Sequence, residues 1–130
     1  MKKKLGIIEI YDKASNSKIR EIIVWGSLYK NDKGKLLSGI YMTFTPSEIP
    51  EYWFLIGDIL KASEFKMSYH REFYGEFYHV GIWGASDYID MDMIISRLKY
   101  LRGSAGKYRY TILIDKDFQY VIDANIVDKL

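Results

Sequence analysis

The 130-residue chain contains no cysteine. That absence excludes a disulfide framework, a thiolate metal site and a cysteine nucleophile, and it fits a reducing compartment. Proline is almost missing as well, with Pro46 and Pro50 alone, and no Pro/Gly-rich linker or internal repeat interrupts the chain. Residues 1–130 therefore read as one domain of ordinary size. Asn and Gln are scarce: Asn16, Asn31, Gln119 and Asn125 are all there are. Depletion of Asn, Gln and Cys beside plentiful Lys and Glu is the composition of hyperthermophile proteins. No apolar run is long enough to span a bilayer. Lys2, Lys3 and Lys4 precede a short apolar stretch as in a signal peptide, but Glu9, Asp12 and Lys13 interrupt it early. The expectation is a cytoplasmic protein without a membrane partner, in the host cytoplasm if the source is viral. No Gly-rich dinucleotide fingerprint and no zinc-ligand spacing occurs.

Hydrophobic residues make up 48% and charged residues 28%, the balance of a globular chain with a core. The net charge of +2 is mildly basic, short of a dedicated nucleic-acid binder. Twelve tyrosines, six phenylalanines and three tryptophans are more aromatic surface than a small core hides.

Leu5–Tyr11 is apolar and β-branched and reads as a strand, Asp12–Ser17 as a turn, and Ile19–Tyr29 as a second strand. Asn31-Asp32-Lys33-Gly34 is a hairpin signal returning the chain through Leu36–Phe44. Thr45-Pro46-Ser47-Glu48 announces a helix with its N-cap near Ser47, since Pro50 is tolerated only in a first turn. Ile49, Trp53, Ile56 and Leu60 recur at helical spacing, widened by Tyr52, Leu55 and Ile59, to an end near residues 62–64. Phe65–Phe73 and Glu76–Gly84 read as a hairpin turning at Tyr74-Gly75. A second helix is capped at Ser86-Asp87, buries Met91, Ile94, Ile95 and Leu98, and stops at Gly103. Tyr108–Ile114 is a strand with Tyr108, Tyr110, Ile112 and Ile114 on one face, and Phe118–Ile122 is one more. The expectation is an α+β fold, order βββαββαββ: a mainly antiparallel sheet of about six to seven strands with two helices on one face.

Three groups carry chemistry. The two histidines lie in the 65–84 hairpin. A turn at Tyr74-Gly75 pairs Phe73 with Glu76 and sets His70 opposite His79, with Glu72 two residues along. His70, His79 and Glu72 would then suit a divalent Mn, Fe or Zn, and without that metal no cofactor is implied. Gly103-Ser104-Ala105-Gly106-Lys107 lacks the upstream glycine and following helix of a phosphate loop, so it reads as a connector. With Arg97, Lys99, Arg102, Lys107 and Arg109, flanked by Tyr100, Tyr108 and Tyr110, it forms a basic stretch suited to phosphates and bases. The aromatic run that includes Tyr74, Phe77 and Trp83 suits a protein partner or homodimer interface.

Tyr41-Met42-Thr43-Phe44-Thr45-Pro46 followed by Phe77-Tyr78-His79-Val80-Gly81-Ile82 resembles strands of HUH-type replication initiators, with their Thr-rich motif and metal-binding His-hydrophobe-His motif. Phe77 stands where the first histidine of that motif would be, and no Tyr-x-x-Lys helix follows. The resemblance implies a metal-dependent DNA-nicking activity, with Tyr100 or Tyr108 as nucleophile. Three readings result. The first is a small binding module for protein or nucleic acid, whose composition suits a virus or plasmid of a thermophile. The second is a metal-dependent nicking enzyme, and the third a structural homo-oligomer.

Overall fold

The computed structural model describes residues 2–30, 36–63, 66–74, 77–86 and 91–115, with side chains over 4–26, 39–63 and 95–115. The strands are β1 (Lys2–Asp12), β2 (Lys18–Lys30), β3 (Leu36–Phe44), β4 (Lys66–Tyr74), β5 (Phe77–Ser86), β6 (Arg102–Ala105) and β7 (Tyr108–Ile114). The helices are α1 (Glu48–Glu51), α2 (Trp53–Ser63) and α3 (Met91–Leu98). All strand pairs are antiparallel, in the order β4-β5-β3-β2-β1-β7-β6. The chain is thus α+β with an antiparallel sheet, the class the sequence implies. Among the described residues, no helix is long and apolar enough to cross a membrane.

Alternation decides which face closes. In β1, Ile8 and Ile10 are buried while Ile7, Glu9 and Tyr11 are not fully so. Ile8 lies between Ile22 of β2 and Ile112 of β7, and Ile10 beside Tyr110. Ile40, Met42 and Phe44 extend this side across β3. Leu55, Ile56 and Ile59 of α2 and Leu98 of α3 fill the space above it and complete one core. Each such aliphatic side chain contributes about 1.5–3 kcal/mol through its removal from water. The helices lie on this face, and the other face of the sheet carries no helix among the described residues.

The first helix differs from expectation. It breaks at Tyr52, whose φ of −106° and ψ of 23° separate α1 from α2. The break shifts the phase of the apolar stripe. Tyr52, Leu55, Ile56 and Ile59 point inward, while Trp53, expected in the stripe, is 48% exposed. Ser47 makes no side-chain cap bond. Glu48 holds the helix start instead, accepting from the Thr45 backbone N–H at 2.9 Å and from Arg20 Nε at 2.7 Å.

Two further expectations are corrected. The second helix ends at Leu98, before Gly103. Residues 102–105 form edge strand β6 where a plain connector was expected, because pairing with β7 orders a run that lacks β-branched residues. Gly103 is needed there: a Cβ would come within 2.8 Å of the Tyr110 ring and 3.1 Å of Asp58 Oδ2. Ser86, expected in the cap of the second helix, is instead the last residue of β5; the 31–34 turn, Asp87 and the Phe118–Ile122 strand lie outside the described residues.

Candidate nucleic-acid interface

The helix-free face is laid out in rows that cross β2, β1, β7 and β6. One row runs Ile23, Ile7, Leu113; the next Glu21, Glu9, Thr111, Arg102; the third Lys18, Tyr11, Arg109, Ser104. The first row leaves Ile23 40% and Leu113 45% exposed, an apolar surface that none of the described helices covers. In the second, Glu9 and Glu21 face each other, an arrangement that destabilises a strand pair. Lys18 resolves it, with Nζ 3.2 Å from Glu9 and 3.1 Å from Glu21. The hydrogen bonds to Glu21 and then Glu9 raise the ammonium's pKa.

The third row holds an ordered arginine. Arg109 Cζ sits 4.1 Å from the centroid of the Tyr11 ring, the geometry of a cation–π contact. Its Nη2 donates to Asn16 Oδ1. Asn16 has a φ of 55°, a left-handed position that asparagine accepts better than most residues. The turn that carries it is closed by Asn16 N–H to Asp12 O at 2.8 Å and Ala14 N–H to Asp12 Oδ1 at 2.9 Å. A bond from Lys13 N–H to Lys107 O at 2.9 Å ties this turn to the β6–β7 turn.

Charge is sorted across the sheet. Glu48 binds Arg20, and Glu9 and Glu21 share Lys18. Glu51 accepts from the Tyr108 hydroxyl, and Asp58 from the Tyr110 hydroxyl at 2.7 Å. Among the described residues, no carboxylate forms an ion pair with Arg102, Lys107 or Arg109. The β6–β7 edge therefore presents positive charge to solvent.

The expected basic stretch is divided by the fold. Arg102 and Arg109 lie on the helix-free face, and Lys107 in the adjoining turn with Nζ 5.2 Å from the Tyr108 ring centroid. Arg97 and Lys99 sit at the end of α3 on the helix side, Lys99 Nζ 5.0 Å from the Tyr100 centroid. Tyr108 and Tyr110, expected beside the stretch to stack bases, are 8% and 1% exposed within the core. Of the three tyrosines, Tyr100 alone is open, at 73%. The hydrogen bond to Glu51 raises the Tyr108 pKa, as does burial, which opposes the ionisation a nucleophile needs.

The histidine hairpin has a register two residues away from expectation. Tyr74 pairs with Phe77, Glu72 with His79, and His70 with Gly81, so His70 and His79 are not opposite each other. The reason is the loop: the two residues between the strands are 75 and 76, not 74 and 75. The shift is even, so positions 70, 72 and 79 stay on one side of the sheet, the helix-free one, as do positions 74, 77 and 83. The side chains of His70, Glu72, His79, Tyr74, Phe77 and Trp83 lie outside the described residues. β3 and β5, which carry the two initiator-like segments, are neighbours with Phe44 opposite Val80. The strand order nevertheless places β5 four steps from β7, about 19 Å away. The fold does not bring Tyr100 or Tyr108 to the histidine hairpin.

No family model matches the chain, no curated protein matches it, and no solved structure matches it. Tyr11 and Thr111 on this face, and Asn16 in the adjoining turn, are the residues that sequence reasoning missed. The signal available was the alternation of β1, which sets Tyr11 on the side opposite Ile8 and Ile10.

Proposed function

We propose that this protein is a binding module that holds nucleic acid against the helix-free face of its sheet. The observation that carries this reading is the placement of Arg102 and Arg109 on neighbouring strands of that face, with Tyr11 beside Arg109 and no carboxylate paired to either arginine among the described residues. Guanidinium groups supply charge-assisted bonds to phosphate oxygens, and aromatic rings and guanidinium planes supply stacking surfaces for bases. Ser104 and Thr111, directly across from Arg109 and Arg102, add hydroxyls. The exposed Ile23 and Leu113 continue the surface with apolar area.

The test is fluorescence anisotropy of labelled single- and double-stranded DNA across a salt series. The reading expects binding at low salt that weakens steadily as salt rises, with a log–log slope of about −0.7 per phosphate contacted on a single strand. Absence of binding at low salt refutes it and leaves a protein partner or a second copy of the chain as the occupant of this face.

A second reading rests on the pairing of Glu72 with His79, one row from His70. A Mn, Fe or Zn ion held there would provide Lewis-acid chemistry at a phosphate, without Tyr100 or Tyr108. A Mn-dependent rise in melting temperature that His70→Gln and His79→Gln abolish supports it, and no shift in the wild type ends it.

A further inference from the structure

We infer that Tyr11, Arg109 and Asn16 form a preorganised platform for a base and its phosphate in single-stranded nucleic acid. The inference rests on the proposed nucleic-acid reading and names the form of ligand the site takes. An arginine on a protein surface ordinarily samples many rotamers, and fixing one costs side-chain entropy on binding. Here that ordering is built into the fold. The Tyr11 ring supports one side of the Arg109 guanidinium, and Asn16 Oδ1 takes a hydrogen from Nη2.

The partner in that bond is a neutral amide, so the guanidinium keeps its full charge for an anion. It has five N–H donors, and the Asn16 bond uses one. The remaining donors can serve a phosphate, and a guanidinium plane can stack on a base. Two turns hold the platform in place. The 12–17 turn fixes Asn16 in its left-handed conformation, and the Lys13 to Lys107 backbone bond locks that turn to the one preceding Arg109.

The neighbours suit a strand that continues beyond one nucleotide. Ser104 is directly opposite Arg109, and Arg102 is diagonal to it, about 7–8 Å away between Cα atoms. One flexible backbone can reach both guanidinium groups. The form of the ligand follows from the shape of the surface. Bases of a duplex are stacked on one another and hidden in its interior, so a guanidinium plane on a sheet cannot stack on them. Bases of a single strand are free to lie on it. Among the described residues, no helix lies on this face to enter a groove.

The experiment compares a fluorescein-labelled 15-nucleotide oligothymidylate, the same length of duplex DNA, and inorganic phosphate as competitor. The inference expects the single strand to bind at least tenfold more tightly than the duplex, with millimolar phosphate displacing little of it. Arg109→Lys keeps the charge and loses the plane, and it should weaken single-strand binding about tenfold with the salt slope kept. Tyr11→Leu should weaken it similarly and Tyr11→Phe should not, the melting temperature of each variant being checked first. Lys61→Gln, on the helix side, is the control and should bind as the wild type does. If the wild type binds DNA but Arg109→Lys and Tyr11→Leu bind equally well, or the duplex binds as tightly, the platform is wrong while the broader reading stands. If the wild type binds no DNA, the broader reading fails first.

Discussion

Arg20 grips Glu48 with two nitrogens, Nε to Oε2 at 2.7 Å and Nη2 to Oε1 at 3.3 Å, and so ties β2 to the start of α1. The same carboxylate accepts from the Thr45 backbone and hydroxyl at 2.9 and 3.0 Å. Glu48→Gln weakens four bonds together, and the expected cost is about 2 kcal/mol in urea unfolding at neutral pH. An unchanged midpoint would show that the helix start does not depend on this carboxylate.

The same group makes a pH prediction. Burial on its own raises the Glu48 pKa, but the bonds from Arg20 and Thr45 outweigh it and hold it below the ordinary 4.5. A depressed folded pKa contributes stability that is present above the unfolded value and lost as pH falls through the folded one. Wild-type stability should therefore drop below about pH 4.5, and Glu48→Gln should show less of that drop.

At the alkaline end the group to watch is Tyr52. Burial pushes its phenol up to about 12, with the Glu51 and Tyr108 charges adding. A raised folded pKa gives stability that is complete below the unfolded value near 10 and lost as pH rises through the folded one. Circular dichroism should report unfolding between about pH 10 and pH 12 that Tyr52→Phe reduces.

Gly6 tests the sheet. A Cβ there would stand 2.2 Å from the Leu113 carbonyl oxygen and 3.0 Å from Ile114 Cα, both backbone atoms. β7 cannot yield without losing its ladder with β1, so Gly6→Ala should cost about 2–3 kcal/mol. A melting temperature within a degree of the wild type would contradict the close approach of these strands.

Much of this fold is readable in the chain. The alternation of Ile8 and Ile10 in β1, and of Tyr108, Tyr110 and Ile112 in β7, follows from a sheet with one closed face. What is not readable depends on partners far away in sequence. The hairpin register turns on which two residues make the loop, and a two-residue slip costs nothing in hydrophobic pattern. β6 is a strand because β7 pairs with it, although Arg102-Gly103-Ser104-Ala105 has no strand propensity to speak of. The break at Tyr52 is hidden because the apolar spacing on either side still looks like one helix. The site was legible in part: Arg102, Lys107 and Arg109 stand out as basic residues, but Tyr11 joins them only when β1 and β7 lie side by side.

The proposed function requires nucleic acid to bind on the helix-free face. The most direct test is a two-dimensional amide NMR titration of the labelled protein with unlabelled oligothymidylate. Shifts should concentrate at Tyr11, Asn16, Arg102, Ser104, Arg109 and Thr111, with α2 residues such as Asp58 and Lys61 unmoved. Shifts centred on α2, or none with excess oligonucleotide, would contradict it.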